Sequence, residues 1–196
     1  MSRLRSFSFS VLLCFVLPIA AAQVAEQPKP QLDLPVQYAA VAIGQSGPAA
    51  GKSFGMSIYI DAVSNDGEVE ELVGILKHKG QDGLVKALDN LKDKGRVAPT
   101  GTVGTGMRVL RINPTKDGGQ HIMLLTNRPI SFGELYNGTR SRDYPFGIVV
   151  LNVDKDGKGT GLFDPLCKMK FNKKNELEVE RYGQRPFRLV NVYRQK

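Results

Sequence analysis

The residues best suited to chemistry lie together between Thr126 and Phe146. This stretch holds Arg128, Arg140 and Arg142, the tyrosines Tyr136 and Tyr144, and the carboxylates Glu134 and Asp143. Guanidinium forks grip carboxylates or phosphates through paired N–H bonds. A tyrosine adds a flat face with a polar tip. Three arginines against two acids leave one positive charge for an outside partner, and Pro129 and Pro145 restrict both ends, which lowers the entropy lost on binding. These seven residues are the candidate ligand-binding set. A second chemistry is also open: Glu134 and Asp143 could work as a hydrolytic acid–base pair, with the arginines holding an anionic substrate. A third reading is structural. Ser131-x-x-Glu134 is a capping box for a short helix ending at Gly138, and Arg142 beside Asp143 would brace the loop.

Other motifs fall short of a site. Gly101-Thr102-Val103-Gly104-Thr105-Gly106 resembles a phosphate loop, but strand pattern follows it, and phosphate cradles need a helix N-terminus. Asp154-x-Asp156-Gly157 begins like a calcium loop, yet Lys158 stands where a ligand is required; a hairpin turn is expected instead. His78 and His121 are isolated, so neither a zinc site nor a Cys–His dyad is expected. Cys167 shares strand parity with Met169 and Phe171 and is expected in the core. Hence no cofactor and no metal are expected, and no catalytic residue is assigned.

The elements that must position these residues are read from periodicity. Met56, Ile58, Ile60 and Ala62 alternate with polar neighbours, which is strand period. Val69, Leu72, Val73 and Leu76 then share one helical face, with Asp66 expected as N-cap and Gly80 as C-cap. Leu84, Val85, Leu88 and Leu91 mark a second helix ending at Gly95, so a two-helix hairpin is expected. From Arg96 onward the chain reads as strands. Those at His121–Leu125 and Phe146–Val153 are apolar throughout, which implies burial on both faces. Pairing Phe171 with Leu177 places Lys170 opposite Glu178 and Lys168 opposite Glu180, with Lys173-Lys174-Asn175 as loop and Asn175 at positive φ. The expected class is α+β: a mostly antiparallel sheet of about six or seven strands, meander or barrel-like, with an inserted helical hairpin.

Domain organisation follows from the N-terminal third. Arg3 and Arg5, the short apolar run Val11–Leu17 and Ala20-Ala21-Ala22 have the layout of a secretory signal peptide over residues 1–22. Residues 23–52, with Pro28, Pro30 and Pro35 and several glycines, read as a flexible tether in which Tyr38 to Ile43 could dock. Residues 53–196 form a single globular domain. Removing the leader takes away Cys14 and leaves Cys167 alone, so no internal disulfide can form. It also takes two of the 27 basic residues, leaving a net charge of +6 against 19 acids. A basic balance favours anionic partners: a small molecule, a glycan or an envelope component, and not nucleic acid in an exported protein. No segment after the leader approaches the roughly 20 apolar residues of a membrane helix.

Asn127-Arg128-Pro129-Ile130-Ser131-Phe132, Arg140-Ser141-Arg142-Asp143-Tyr144-Pro145-Phe146, Tyr182-Gly183 and Phe187-Arg188-Leu189 resemble a family of uncharacterised secreted bacterial proteins over residues 95–193. The resemblance implies bacterial origin and export, to periplasm or medium, and carries no activity. The functional expectation is therefore a non-catalytic exported binding or interaction module with the arginine–tyrosine loop as its contact surface. The alternative is a small extracytoplasmic hydrolase using Glu134 or Asp143.

Overall fold

A computed structural model of the chain describes residues 32–128, 130, 143–183 and 185–195. The expected leader, the start of the expected tether, and Glu134, Tyr136, Arg140 and Arg142 lie outside the described residues.

The strands are β1 (Val36–Ile43), β2 (Ser53–Ile60), β3 (Gly95–Pro99), β4 (Thr105–Met107), β5 (Val109–Pro114), β6 (Gln120–Thr126), β7 (Phe146–Val153), β8 (Lys158–Phe171), β9 (Leu177–Arg181) and β10 (Phe187–Arg194). One helical segment, α1 (Asp66–Asp89), sits between β2 and β3. All ten strands belong to one sheet in the order β4-β3-β2-β1-β10-β8-β7-β6-β5, with β9 added beside β8. Every pairing is antiparallel. The two ends of this order meet, because only Arg108 separates β4 from β5. Thr105–Met107 pairs with β3, Val109–Pro114 pairs with β6, and the Arg108 amide donates to the Leu125 carbonyl at 2.8 Å. The result is a nearly closed barrel, which removes the exposed sheet edges that invite aggregation.

Side-chain alternation fills the barrel interior. Tyr38, Met56, Ile58, Val97, Met107, Leu110, Ile122, Leu124, Val149, Leu151, Phe163 and Leu189 are all buried in one cluster. The interior is thus a packed core of the kind that small barrels form. Phe187 meets Phe54 and Phe163 at ring-centroid distances of 5.7 and 5.6 Å.

Three expectations differ from the structure. Residues 36–52 are not a tether. Val36–Ile43 is an interior strand of the sheet, between β2 and β10, and Tyr38 is only 1% exposed. Its inward positions include Ala40 and Ala42, whose small side chains give little hydrophobic periodicity to read. The glycines that suggested looseness close a tight turn, with the Gly44 amide donating to the Lys52 carbonyl and Ala49 buried beneath. The sheet also has more strands than expected, because this strand and the short β3 and β4 are weakly patterned.

The third difference concerns the helices. Gly80 does interrupt the helical backbone, at φ 65° and ψ −167°. The two halves nevertheless form one kinked segment, and both deliver leucines (Leu72, Leu76, Leu84, Leu88) to the same cluster. The N-cap is Asn65, one residue before Asp66; its side chain accepts from the Glu68 amide at 2.8 Å. Around this cap, Asp66 pairs with Arg111 at 2.6 Å and Glu68 with Lys94 at 3.2 Å. At the far end, Arg108 donates to the Leu91 carbonyl, and Asn127 donates to the Val85 carbonyl and to Asp89. Polar bonds therefore pin both ends of α1 against the outer surface of the barrel.

The expected pairing of the carboxyl-terminal hairpin is observed. Phe171 opposes Leu177, Lys170 opposes Glu178, Lys168 opposes Glu180, and Asn175 has φ 62°. The Pro114–Gly119 and Asp154–Gly159 turns also form, the latter with the Asp154 carboxylate accepting from the Asp156 and Lys158 amides.

Candidate functional site

Beyond the interior core, the barrel has a second apolar face on its outside. In β6 and β7, Ile122, Leu124, Val149 and Leu151 point inward, leaving Met123, Leu125, Ile148 and Val150 pointing out. Strand β8 continues this face with Leu162 and Asp164. A register irregularity separates its pairing at Asp164 from its pairing at Cys167. That extra step reverses side-chain parity, so Cys167, Met169 and Phe171 face outward beyond it. Past this bulge β8 leaves β10 and pairs with β9, so the β8/β9 hairpin rises as a wall opposite α1.

A groove of about 260 Å³ lies between these elements. Its floor is Val109, Met123, Leu125, Ile148, Val150 and Leu162; α1 supplies Val69, Leu72, Val73, Leu76 and Leu84; the hairpin supplies Met169, Phe171, Leu177 and Val179. Its rim is apolar as well as its floor. Val73 of α1 and Leu177 of the hairpin are 37% and 51% exposed, and Leu162 at the edge of the floor is 42% exposed. Exposed aliphatic surface gathered in one concavity marks a binding site more often than scattered exposed side chains do.

Two charged residues line this groove, Asp164 and Arg181. The Arg181 Nε donates to Asp164 Oδ2 at 2.6 Å. The Asp164 side chain is 11% exposed and that of Arg181 is 44% exposed, so the carboxylate sits behind and the guanidinium in front. Burial raises the Asp164 pKa, against the lowering effect of Arg181. Neighbouring Cys167 is fully buried, and burial, aided by the Asp164 charge, pushes its thiol up to about 12. That thiol is inert core, as its strand parity implies.

The sequence-derived set is only partly described. Arg128 and Asp143 are exposed. Asp143 accepts a 3.3 Å bond from Gln81 through its backbone carbonyl. Tyr144 is engaged: its hydroxyl donates to Glu180 at 2.9 Å, its ring packs edge-on against Tyr182 at 5.1 Å, and Lys168 lies 5.0 Å over it. Lys168 also pairs with Glu180 at 2.9 Å. These bonds to Glu180 lower its pKa, through Lys168 first and Tyr144 next, and raise those of Lys168 and Tyr144. Tyr144 therefore fastens the start of β7 to the β8/β9 hairpin. Among the described residues no three of His, Cys, Asp and Glu gather as metal ligands.

The groove residues were missed because a two-sided apolar strand reads simply as buried. The available signal was a surplus: β6 and β7 are apolar on both faces, while one helical segment supplies the outer cover. No family model, curated protein or solved structure matches this chain.

Proposed function

We propose that this protein is a non-catalytic, exported binding module whose ligand seat is the apolar groove between α1 and the β8/β9 hairpin. The carrying observation is the concavity that α1 and the hairpin leave over the barrel's outer apolar face, with Val73, Leu162 and Leu177 37%, 42% and 51% exposed around it. Leaving such surface in water costs about 25 cal/mol per Å², a cost that a bound apolar group removes. The ligand is of modest size, because engineered cavities of ~150 Å³ accept benzene and this groove is under twice that volume. The expectation of export rests on residues 1–22 and on the family resemblance.

An uncharged naphthylamine dye that brightens in apolar surroundings tests the proposal. Saturable brightening at one dye per chain is expected, weakened by Val150→Phe, which fills the groove floor. Equal binding to the filled variant would place the dye elsewhere and overturn the assignment.

A further inference from the structure

We propose that the groove takes a free, single-chain aliphatic carboxylate of roughly ten carbons, scaling from the ~150 Å³ that holds benzene, with Arg181 gripping its head group. This rests on the groove being the ligand seat and adds the chemical class of the ligand. The walls select an aliphatic tail, since Val, Leu, Ile, Met and Phe supply nearly all of the lining. The head is selected by charge: Arg181 is the cation among the described lining residues. Its Nε is committed to Asp164 at 2.6 Å, and among the described residues the guanidinium makes no other side-chain hydrogen bond. The two terminal nitrogens therefore present a parallel pair of N–H donors, the geometry that matches the two oxygens of a carboxylate.

Asp164 is the orienting group. Its carboxylate is shielded from solvent and holds the Arg181 Nε, which leaves the terminal nitrogens of the more exposed guanidinium for a ligand. It also offsets part of the positive charge, which favours a monoanion over a dianionic phosphate. Among the described residues, the lysines beside the hairpin and α1 are engaged. Lys168 and Lys170 pair with Glu180 and Glu178, and Lys77 lies 4.9 Å over the Phe171 ring.

The test is displacement of the uncharged dye from the full chain by decanoate, decanol and decyltrimethylammonium, each as monomers at neutral pH. Decanoate is expected to bind roughly tenfold or more tighter than decanol, as hydrogen bonds to a charged group contribute, and the cation more weakly than either. Arg181→Met should erase the preference for decanoate while dye and decanol still bind; Arg181→Lys should keep part of it. Equal displacement by all three probes, or an unchanged preference in Arg181→Met, overturns the head-group assignment and leaves dye binding in place. Capture by vesicles of anionic lipid with no binding of monomeric decanoate also overturns it, in favour of a membrane surface. Absence of saturable dye binding overturns both this proposal and the groove reading. The probe series on the unaltered chain decides even if Arg181→Met fails to fold.

Discussion

Val150→Phe separates an open groove from a collapsed one. Val150 lies mid-floor, opposite Met123 on β6 and Leu162 on β8. The substitution adds roughly four carbons, worth about 3 kcal/mol at full burial. An open groove covers about half of that, and fixing the ring costs about 0.5 kcal/mol of rotamer freedom. A net gain of about 1 kcal/mol follows, or a Tm rise of about 2–4 °C for a chain of this size. The ring has space, since the groove holds about 260 Å³, and phenylalanine is well suited to strands. Thermal and urea unfolding, followed by circular dichroism, measure the change. If α1 and the hairpin closed tightly over this face, the same ring would overpack it and cost about 1–3 kcal/mol. A loss of stability would therefore refute the open groove, and with it the proposed ligand seat. A gain in stability with weaker dye binding is the expected joint result.

Three further outcomes are expected. Cys167 should react slowly with a thiol reagent in the native state and quickly after denaturation, because burial holds the thiol near 12; fast native labelling would contradict the parity change in β8. Glu178→Lys should cost about 0.2–1 kcal/mol by placing like charges opposite at Lys170, and adding Lys170→Glu should restore most of it; a double-mutant cycle without coupling would refute the side-chain pairing across the hairpin. Asp164 has its folded pKa raised by burial, so the native state holds a proton that the unfolded chain has released, and this group's contribution falls as pH rises between the two values. Asp164→Asn should therefore gain stability relative to the parent as pH rises through and above the ordinary aspartate range; a relative loss over that interval would show that Arg181 outweighs burial.

Local chemistry was legible in the sequence where it repeats over short distances. The β8/β9 pairing could be read because apolar and charged alternation agree on one register, and both are set by neighbours across a three-residue loop. The break at Gly80 and the Asp156-Gly157 turn could be read because glycine alone adopts such backbone angles freely. β1 was hidden, because alanines on its inward face contribute shape to the core with little hydrophobic signal. The arginine–tyrosine stretch stood out by composition, yet the engagement of Tyr144 by Glu180 depends on a strand 36 residues away.

The sequence by itself determined strand and helix periodicity, the tight turns, the burial of Cys167 and the charge ladder of the last hairpin, all consequences of side chains a few positions apart. Tertiary structure alone decided that the sheet closes at Arg108, that α1 lies outside the barrel, and that Asp164 meets Arg181 in a groove. Those outcomes depend on strand order and on one parity change in β8. Such a shift moves every later side chain to the opposite face without changing the local pattern that sequence reading detects.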